Sequence, residues 1–148
     1  MKKNRNFEQF LKQGKISCGE LDNFFAELEP IEIDELIGKW RGGYFRTGKS
    51  KVEFFLKNFI IFKWHGKNFL SADNVKALVF SFLGIKFNLP LGTARLRKVE
   101  YRDKFSISMI YNYFPIIDNF RKVDDNTIMG IMDIKGKTGV YFYLRMQK

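Results

Sequence analysis

The chain has 148 residues, 45% of them hydrophobic, so it is long enough for one folded domain and too apolar for a disordered chain. Its net charge is +10, and it contains one cysteine, Cys18, and one histidine, His65. These single residues exclude an internal disulfide, a zinc cluster built from cysteines and a site built from several histidines.

The first 37 residues are predicted to be helical. Residues 6–11 predict a short helix that ends at Gly14. Ser17 and Glu20 fit a capping box, in which two side chains satisfy free amides at the start of a helix. Four apolar residues then recur at helical spacing: Leu21, Phe24, Phe25 and Leu28. The pattern predicts an amphipathic helix over residues 18–28.

From residue 38 onward, glycines and short turns divide the chain into short apolar segments. The predicted strands cover residues 40–46, 59–64, 67–70, 79–83, 85–89, 94–102, 104–111, 119–123, 127–133 and 140–146. A helix is predicted over residues 50–57, with Val52, Phe55 and Leu56 on one side, and a helical turn over residues 73–78.

Short strands at this spacing, separated by tight turns, are typical of an antiparallel barrel or sandwich. We therefore predict a mainly β fold, an antiparallel β-barrel or sandwich preceded by one or two helices. The predicted organisation is a single domain over residues 1–148, with a helical preface over 1–37 and the barrel over 38–148.

Trp40 stands between Gly38 and Gly42 at the start of the first predicted strand. Glycine lets a strand bend and lets another backbone approach closely. We predict that Trp40 plugs one end of the barrel. We also expect Arg145, in the last strand, to stack on the indole and tie the first strand to the last.

Residues 43–50 match the phosphate-loop pattern G-x-x-x-x-G-K-S. That pattern binds phosphate when the loop joins a buried parallel strand to a helix. Here the middle of the loop is bulky and its surroundings predict antiparallel strands, so the sequence disfavours a nucleotide site.

Asp118 and Arg121 flank Asn119 and Phe120 in the densest polar segment of the chain. A structural ion pair is the favoured interpretation, because ion-pair networks are common. With Tyr111 they also form the candidate group for an alternative function, a small enzyme acting on an apolar substrate. We assign no catalytic residue and favour a non-catalytic protein.

Several motifs resemble, in order, those of the bacterial GxWxG-protein family and the domain of unknown function that forms its second half. They cover residues 38–42, 47–48, 64–69, 94–97, 109–112, 115–125 and 130–136. The resemblance implies a mainly β fold with an antiparallel calycin-like or lipocalin-like β-barrel, suited to a lipid or another apolar molecule, with no established catalytic residues. His65 departs from the pattern, since an aromatic residue is expected there, and so do Ile117 and Asn119, which stand where histidine is expected.

We predict a binding protein that holds a lipid or another small apolar or anionic ligand in the barrel, under a basic rim. The aromatic content and the positive charge support this, because ligand cavities are mostly apolar with few polar groups. The candidate ligand-binding residues are Trp40, Arg41, Phe45, Arg46, Trp64, Arg97, Tyr111, Tyr113, Asp118 and Arg121. Arginine suits a carboxylate or phosphate because its planar group donates two parallel hydrogen bonds. No metal or cofactor is predicted.

The positive charge also predicts peripheral contact with anionic membrane lipids. Nucleic-acid binding through the basic strands is the least favoured alternative, and its affinity would fall steeply with salt. The basic start is not followed by an apolar run of signal-peptide length, and no stretch approaches the roughly 20 apolar residues of a membrane span. We therefore expect a cytoplasmic protein, and its oligomeric state is left open.

Overall fold

The computed structural model describes residues 2–58 and 63–147, except for the side chains of residues 58 and 63. Its helices are α1 (Lys2–Lys12), α2 (Cys18–Ala26), α3 (Ile33–Leu36) and α4 (Lys51–Asn58). Its strands are β1 (Gly38–Tyr44), β2 (Lys63–Ser71), β3 (Asn74–Phe82), β4 (Ile85–Asn88), β5 (Thr93–Tyr101), β6 (Lys104–Tyr111), β7 (Ile116–Asp124), β8 (Thr127–Ile134) and β9 (Lys137–Met146). Over these residues, no helix has the length and apolar character needed to cross a membrane.

Eight strands form a closed antiparallel barrel in the order β1-β2-β3-β5-β6-β7-β8-β9. The ring closes where β9 pairs with β1, with Trp40 opposite Met146 and Arg41 opposite Arg145. Strand β4 pairs with β3 and adds a hairpin beside this ring. The prediction of a mainly β, antiparallel barrel behind helices is confirmed.

The helical turn predicted over residues 73–78 is wrong, because β3 begins at Asn74. Val75 and Ala77 are both fully buried in the interior cluster, so the segment follows the two-residue period of a strand. Most of the strand predicted over residues 59–64 lies outside the described residues.

Trp40 is buried in the barrel interior, and its indole Nε1 donates a hydrogen bond of 2.7 Å to the carbonyl of Leu36 in α3. The predicted stacking of Arg145 on this indole is wrong. Arg145 points to the outer surface, where its guanidinium lies 5.2 Å from the ring centre of Phe7 and pairs with Glu8. The first and last strands, β1 and β9, are joined as expected, but by backbone pairing and not by a contact between Arg145 and Trp40.

Helices α1 and α2 cover the outer wall of β7, β8 and β9. Met129 and Ile131 on β8 point outward into a second apolar cluster with the helices, whereas Ile128 on the same strand points inward. Ser17 and Glu20 form the predicted capping box at the start of α2.

Acidic residues of the N-terminal segment pair with basic residues of the barrel. Glu35 lies 2.7 Å from the ammonium of Lys122, and Asp22 lies 2.7 Å from the guanidinium of Arg102. The uneven distribution of charge along the chain therefore helps to place the helices on the sheet.

Two glycines near Trp40 permit close contacts. A Cβ atom at Gly42 would lie 2.4 Å from the ring of Trp64. A Cβ atom at Gly66 would lie 1.9 Å from the carbonyl oxygen of Trp40 on the paired strand. Any larger residue at either position must displace a buried ring or a strand.

We expect Gly42→Ala to lower the free energy of unfolding by about 1–3 kcal/mol, the usual cost of overpacking a core. Urea unfolding followed by tryptophan fluorescence measures this loss. Gly19→Ala is the matched control, because a Cβ atom at Gly19 in α2 meets no heavy atom within 4 Å. Equal unfolding midpoints for the two variants would contradict the assigned role of Gly42.

Candidate functional site

A cavity of about 170 Å³ lies inside the barrel beneath α4. Its described lining residues are Val52, Phe55, Leu56, Trp64, Lys67, Leu78, Phe80, Leu89, Tyr111, Asp118, Met132, Val140 and Phe142. The three α4 residues predicted to share one helical face all line it. Nearly all of the wall is hydrocarbon, which is typical of a site for an apolar molecule.

The loop before α4 holds the helix in place. The carboxylate of Glu53 accepts hydrogen bonds from the backbone amides of Thr47 and Gly48, at 2.6 and 3.1 Å, and from the Thr47 hydroxyl. The Ser50 hydroxyl bonds to the carbonyl of Gly139 in β9. This loop contains the phosphate-loop pattern, and a side chain of the protein already occupies its amides at Thr47 and Gly48.

The wall of the cavity includes a buried ion pair between β2 and β7. The ammonium nitrogen Nζ of Lys67 lies 3.1 Å from Oδ2 of Asp118, and the two side chains are 3% and 0% exposed. Nζ also donates hydrogen bonds to the carbonyl of Ala77 at 3.0 Å and to the hydroxyl of Tyr111 at 3.2 Å. Three oxygen atoms around one nitrogen are the surroundings of a charged ammonium group.

Burial and charge shift the pKa values of this cluster. Burial raises the pKa of Asp118 and lowers the pKa of Lys67, and the opposite charge of each partner acts against the shift. The pKa of Tyr111 lies well above its ordinary value because of burial and the nearby Asp118 charge. Tyr111 is therefore a protonated hydroxyl at neutral pH.

Two groups in the wall lack hydrogen-bond partners among the described residues. Neither carboxylate oxygen of Asp118 receives a well-aligned hydrogen bond, although Oδ2 has the ion-pair contact with Lys67. The buried indole Nε1 of Trp64 has no acceptor. An unpaired buried polar group costs about 1–3 kcal/mol, so such atoms in a cavity wall are candidates for ligand contacts.

The structure brings three of the predicted site residues to this cavity: Trp64, Tyr111 and Asp118. Trp40 lies in the interior core but does not line the cavity. Phe45 packs in the outer cluster, and Tyr113 is 63% exposed after β6.

The four predicted arginines lie apart from one another. Arg41 and Arg46 are exposed, and Arg97 pairs with Asp73 at 2.7 Å. Arg121 is buried, and its guanidinium donates to the carbonyls of Tyr101 and of two other residues, Phe25 and Arg102.

These positions do not form the predicted basic rim at this cavity. Among its described lining residues, Lys67 is the one cationic side chain. The predicted pairing of Asp118 with Arg121 is also wrong, because residues three apart on a strand face opposite sides of the sheet. Asp118 instead pairs with Lys67.

Lys67 is the residue of the candidate site that the sequence analysis did not identify. It lies two residues before the buried Phe69 on β2, so a charged side chain occupies the inward face of a strand. The two-residue alternation of inward-facing positions on β2 is the sequence pattern that could have identified Lys67 as a buried residue. The histidine, His65, does not line the cavity, and residues 2–58 and 63–147 contain no group of three or more side chains suited to a metal ion.

We expect Lys67→Met alone to destabilise the fold by about 3–5 kcal/mol, because it leaves a buried carboxylate without its partner. The double variant Lys67→Met with Asp118→Leu is expected to lose less than the sum of the two single variants. Urea unfolding of all four proteins measures the coupling energy.

The exposed pair of Lys122 and Glu35 provides the control cycle, with an expected coupling below about 1 kcal/mol. If the two buried single variants add without coupling, the ion pair does not stabilise the interior as described.

Comparison with known proteins gives the family. Residues 23–82 match the family model described as GXWXG protein, and residues 92–146 match Domain of unknown function (DUF4334). A crystal structure of a protein from Thermomonospora curvata is similar over 100% of both chains, with 32% sequence identity and a TM-score of 0.87. A comparison with curated proteins gives no match. The resemblance in the sequence motifs is confirmed: the chain belongs to the GXWXG protein family, with a GXWXG domain followed by a DUF4334 domain.

Proposed function

We propose that the protein binds one small apolar molecule in the cavity beneath α4. The observation that carries this proposal is an apolar space of about 170 Å³ inside an otherwise packed barrel. Packed interiors leave few voids larger than a water molecule, so a space of this size is unusual for a purely structural core.

The volume favours a molecule with a single ring. An apolar cavity of about 150 Å³ in another protein stays dry and binds benzene, whereas sites for drug-sized ligands have about 300–1,000 Å³. A long acyl chain therefore needs more room than this cavity offers. The sequence predicted a lipid or another small apolar ligand, and the cavity volume supports the small apolar ligand over the lipid.

The roof of the cavity gives a short route for entry. Phe55 lines the cavity and is also 53% exposed, so this side chain extends from the interior to solvent. The cavity wall also includes the rings of Trp64 and Phe142, which pack edge to face with centres 5.9 Å apart. These rigid rings suit a flat apolar ligand.

We expect toluene to bind with a dissociation constant below about 1 mM, which corresponds to about 4 kcal/mol. Titration followed by ¹⁵N–¹H correlation spectra should shift the indole signal of Trp64. The indole of Trp40, hydrogen-bonded to Leu36 away from the cavity, is the internal reference.

Two variants test the location of the bound molecule. Val140→Phe should fill the cavity and weaken toluene binding at least about tenfold, while Met132→Ala should enlarge it and admit larger rings. Leu70→Phe adds the same ring at an exposed position and is the control. Unchanged binding in Val140→Phe would place the molecule elsewhere.

A second candidate function is contact with an anionic membrane. Phe54 of α4 is 70% exposed and lines a surface depression with Lys15, Arg46 and Lys57. These three basic side chains are exposed and form no ion pair with a described residue. An exposed apolar side chain among cations suits the headgroup region of an anionic bilayer.

We expect the protein to sediment with phosphatidylcholine vesicles that contain phosphatidylserine, and binding should fall as salt is raised. Phe54→Ser should weaken this binding, whereas Phe105→Ser, at another strongly exposed position, should not. Equal sedimentation with pure phosphatidylcholine vesicles would count against an electrostatic contact.

A further inference from the structure

We propose that the preferred ligand carries one neutral hydroxyl group, which donates to Asp118 and accepts from Tyr111. This inference rests on the proposed binding of a small apolar molecule, and it specifies the polar group of that molecule. It replaces the anionic headgroup that the sequence suggested with a different chemistry.

The acceptor half of the site is the carboxylate of Asp118. The side chain is completely buried and belongs to the cavity wall, and Oδ1 receives neither a hydrogen bond from a described residue nor the ion-pair contact made by Oδ2. A buried carboxylate oxygen without a donor is rare, because each such oxygen has lost its hydration. A hydroxyl proton of a ligand would supply the missing donor.

The donor half is the hydroxyl of Tyr111. Its oxygen accepts the hydrogen bond from Lys67, so its own proton remains to be donated. The Tyr111 hydroxyl does not donate this proton to Asp118, whose carboxylate oxygens lack a hydrogen-bond partner among the described residues. Tyr111 and Asp118 both lie within about 3 Å of the same Lys67 nitrogen, so one small group can reach both.

Charge selects among the polar groups that a ligand could carry. A carboxylate would lie against the carboxylate of Asp118, and an ammonium group would lie against that of Lys67. The ion pair is neutral as a unit, so either ligand ion would add an unbalanced charge to an apolar interior. A neutral hydroxyl both donates and accepts and adds no charge.

Phenol and toluene have nearly the same size and shape and differ in this one group. Because they also differ in hydration, the informative quantity is the ratio of their affinities in the protein and in variants. We expect the ratio of phenol to toluene affinity to fall at least about tenfold in the double variant Lys67→Met with Asp118→Leu. Ligand titration followed by the Trp64 indole signal measures both affinities.

Tyr111→Phe removes the proposed donor and one hydrogen-bond acceptor of Lys67 but keeps the ion pair, so it tests the inference independently if the double variant does not fold. It should also lower the ratio. The double variant Lys122→Met with Glu35→Leu removes an exposed pair and should leave the ratio unchanged. Benzoate and benzylamine, tested as the charged ligands, should bind more weakly than phenol.

The outcomes separate the two proposals. If toluene binds but the ratio does not change in Tyr111→Phe or in the cavity double variant, the hydroxyl inference is overturned and the proposed function stands. Tighter binding of benzoate than of phenol would also overturn the inference. If neither toluene nor phenol binds, the proposed function itself fails.

Discussion

The buried contact between Lys67 and Asp118 is the interaction on which this interior depends. Removing two charges from water costs several kcal/mol each, and their attraction repays this only when further polar contacts complete the site. Lys67 has those contacts, at Ala77 and Tyr111, whereas Asp118 retains an oxygen without a donor. This asymmetry is the basis of the proposed ligand contact, because the unsatisfied carboxylate of Asp118 belongs to the wall of the cavity.

The barrel makes this pair possible through close packing around its first strand. The glycines at 42 and 66 let a tryptophan ring and a neighbouring backbone approach β1. Trp40 then fills part of the interior, while α4, held by Glu53, covers the part that remains open. The motif around Trp40 therefore has a packing role, and the proposed ligand contacts lie on other strands.

Local patterns predict most of the architecture but only part of the candidate site. The capping box at Ser17 and the shared face of Val52, Phe55 and Leu56 depend on neighbours in sequence, and both are confirmed. Lys67 and Asp118 are on β2 and β7, which are not paired in the ring, so their contact depends on closure of the whole barrel. Asp118 and Arg121 are close in sequence but face opposite sides of their strand.

Xenon binding in a crystal shows directly whether an open apolar space lies inside the barrel. Xenon enters apolar cavities of this size and is easily located in a crystal under gas pressure. We expect one strong xenon site between α4 and β9, in contact with Val52, Val140 and Phe142. A crystal in which side chains fill this space and xenon binds only at the surface would contradict it.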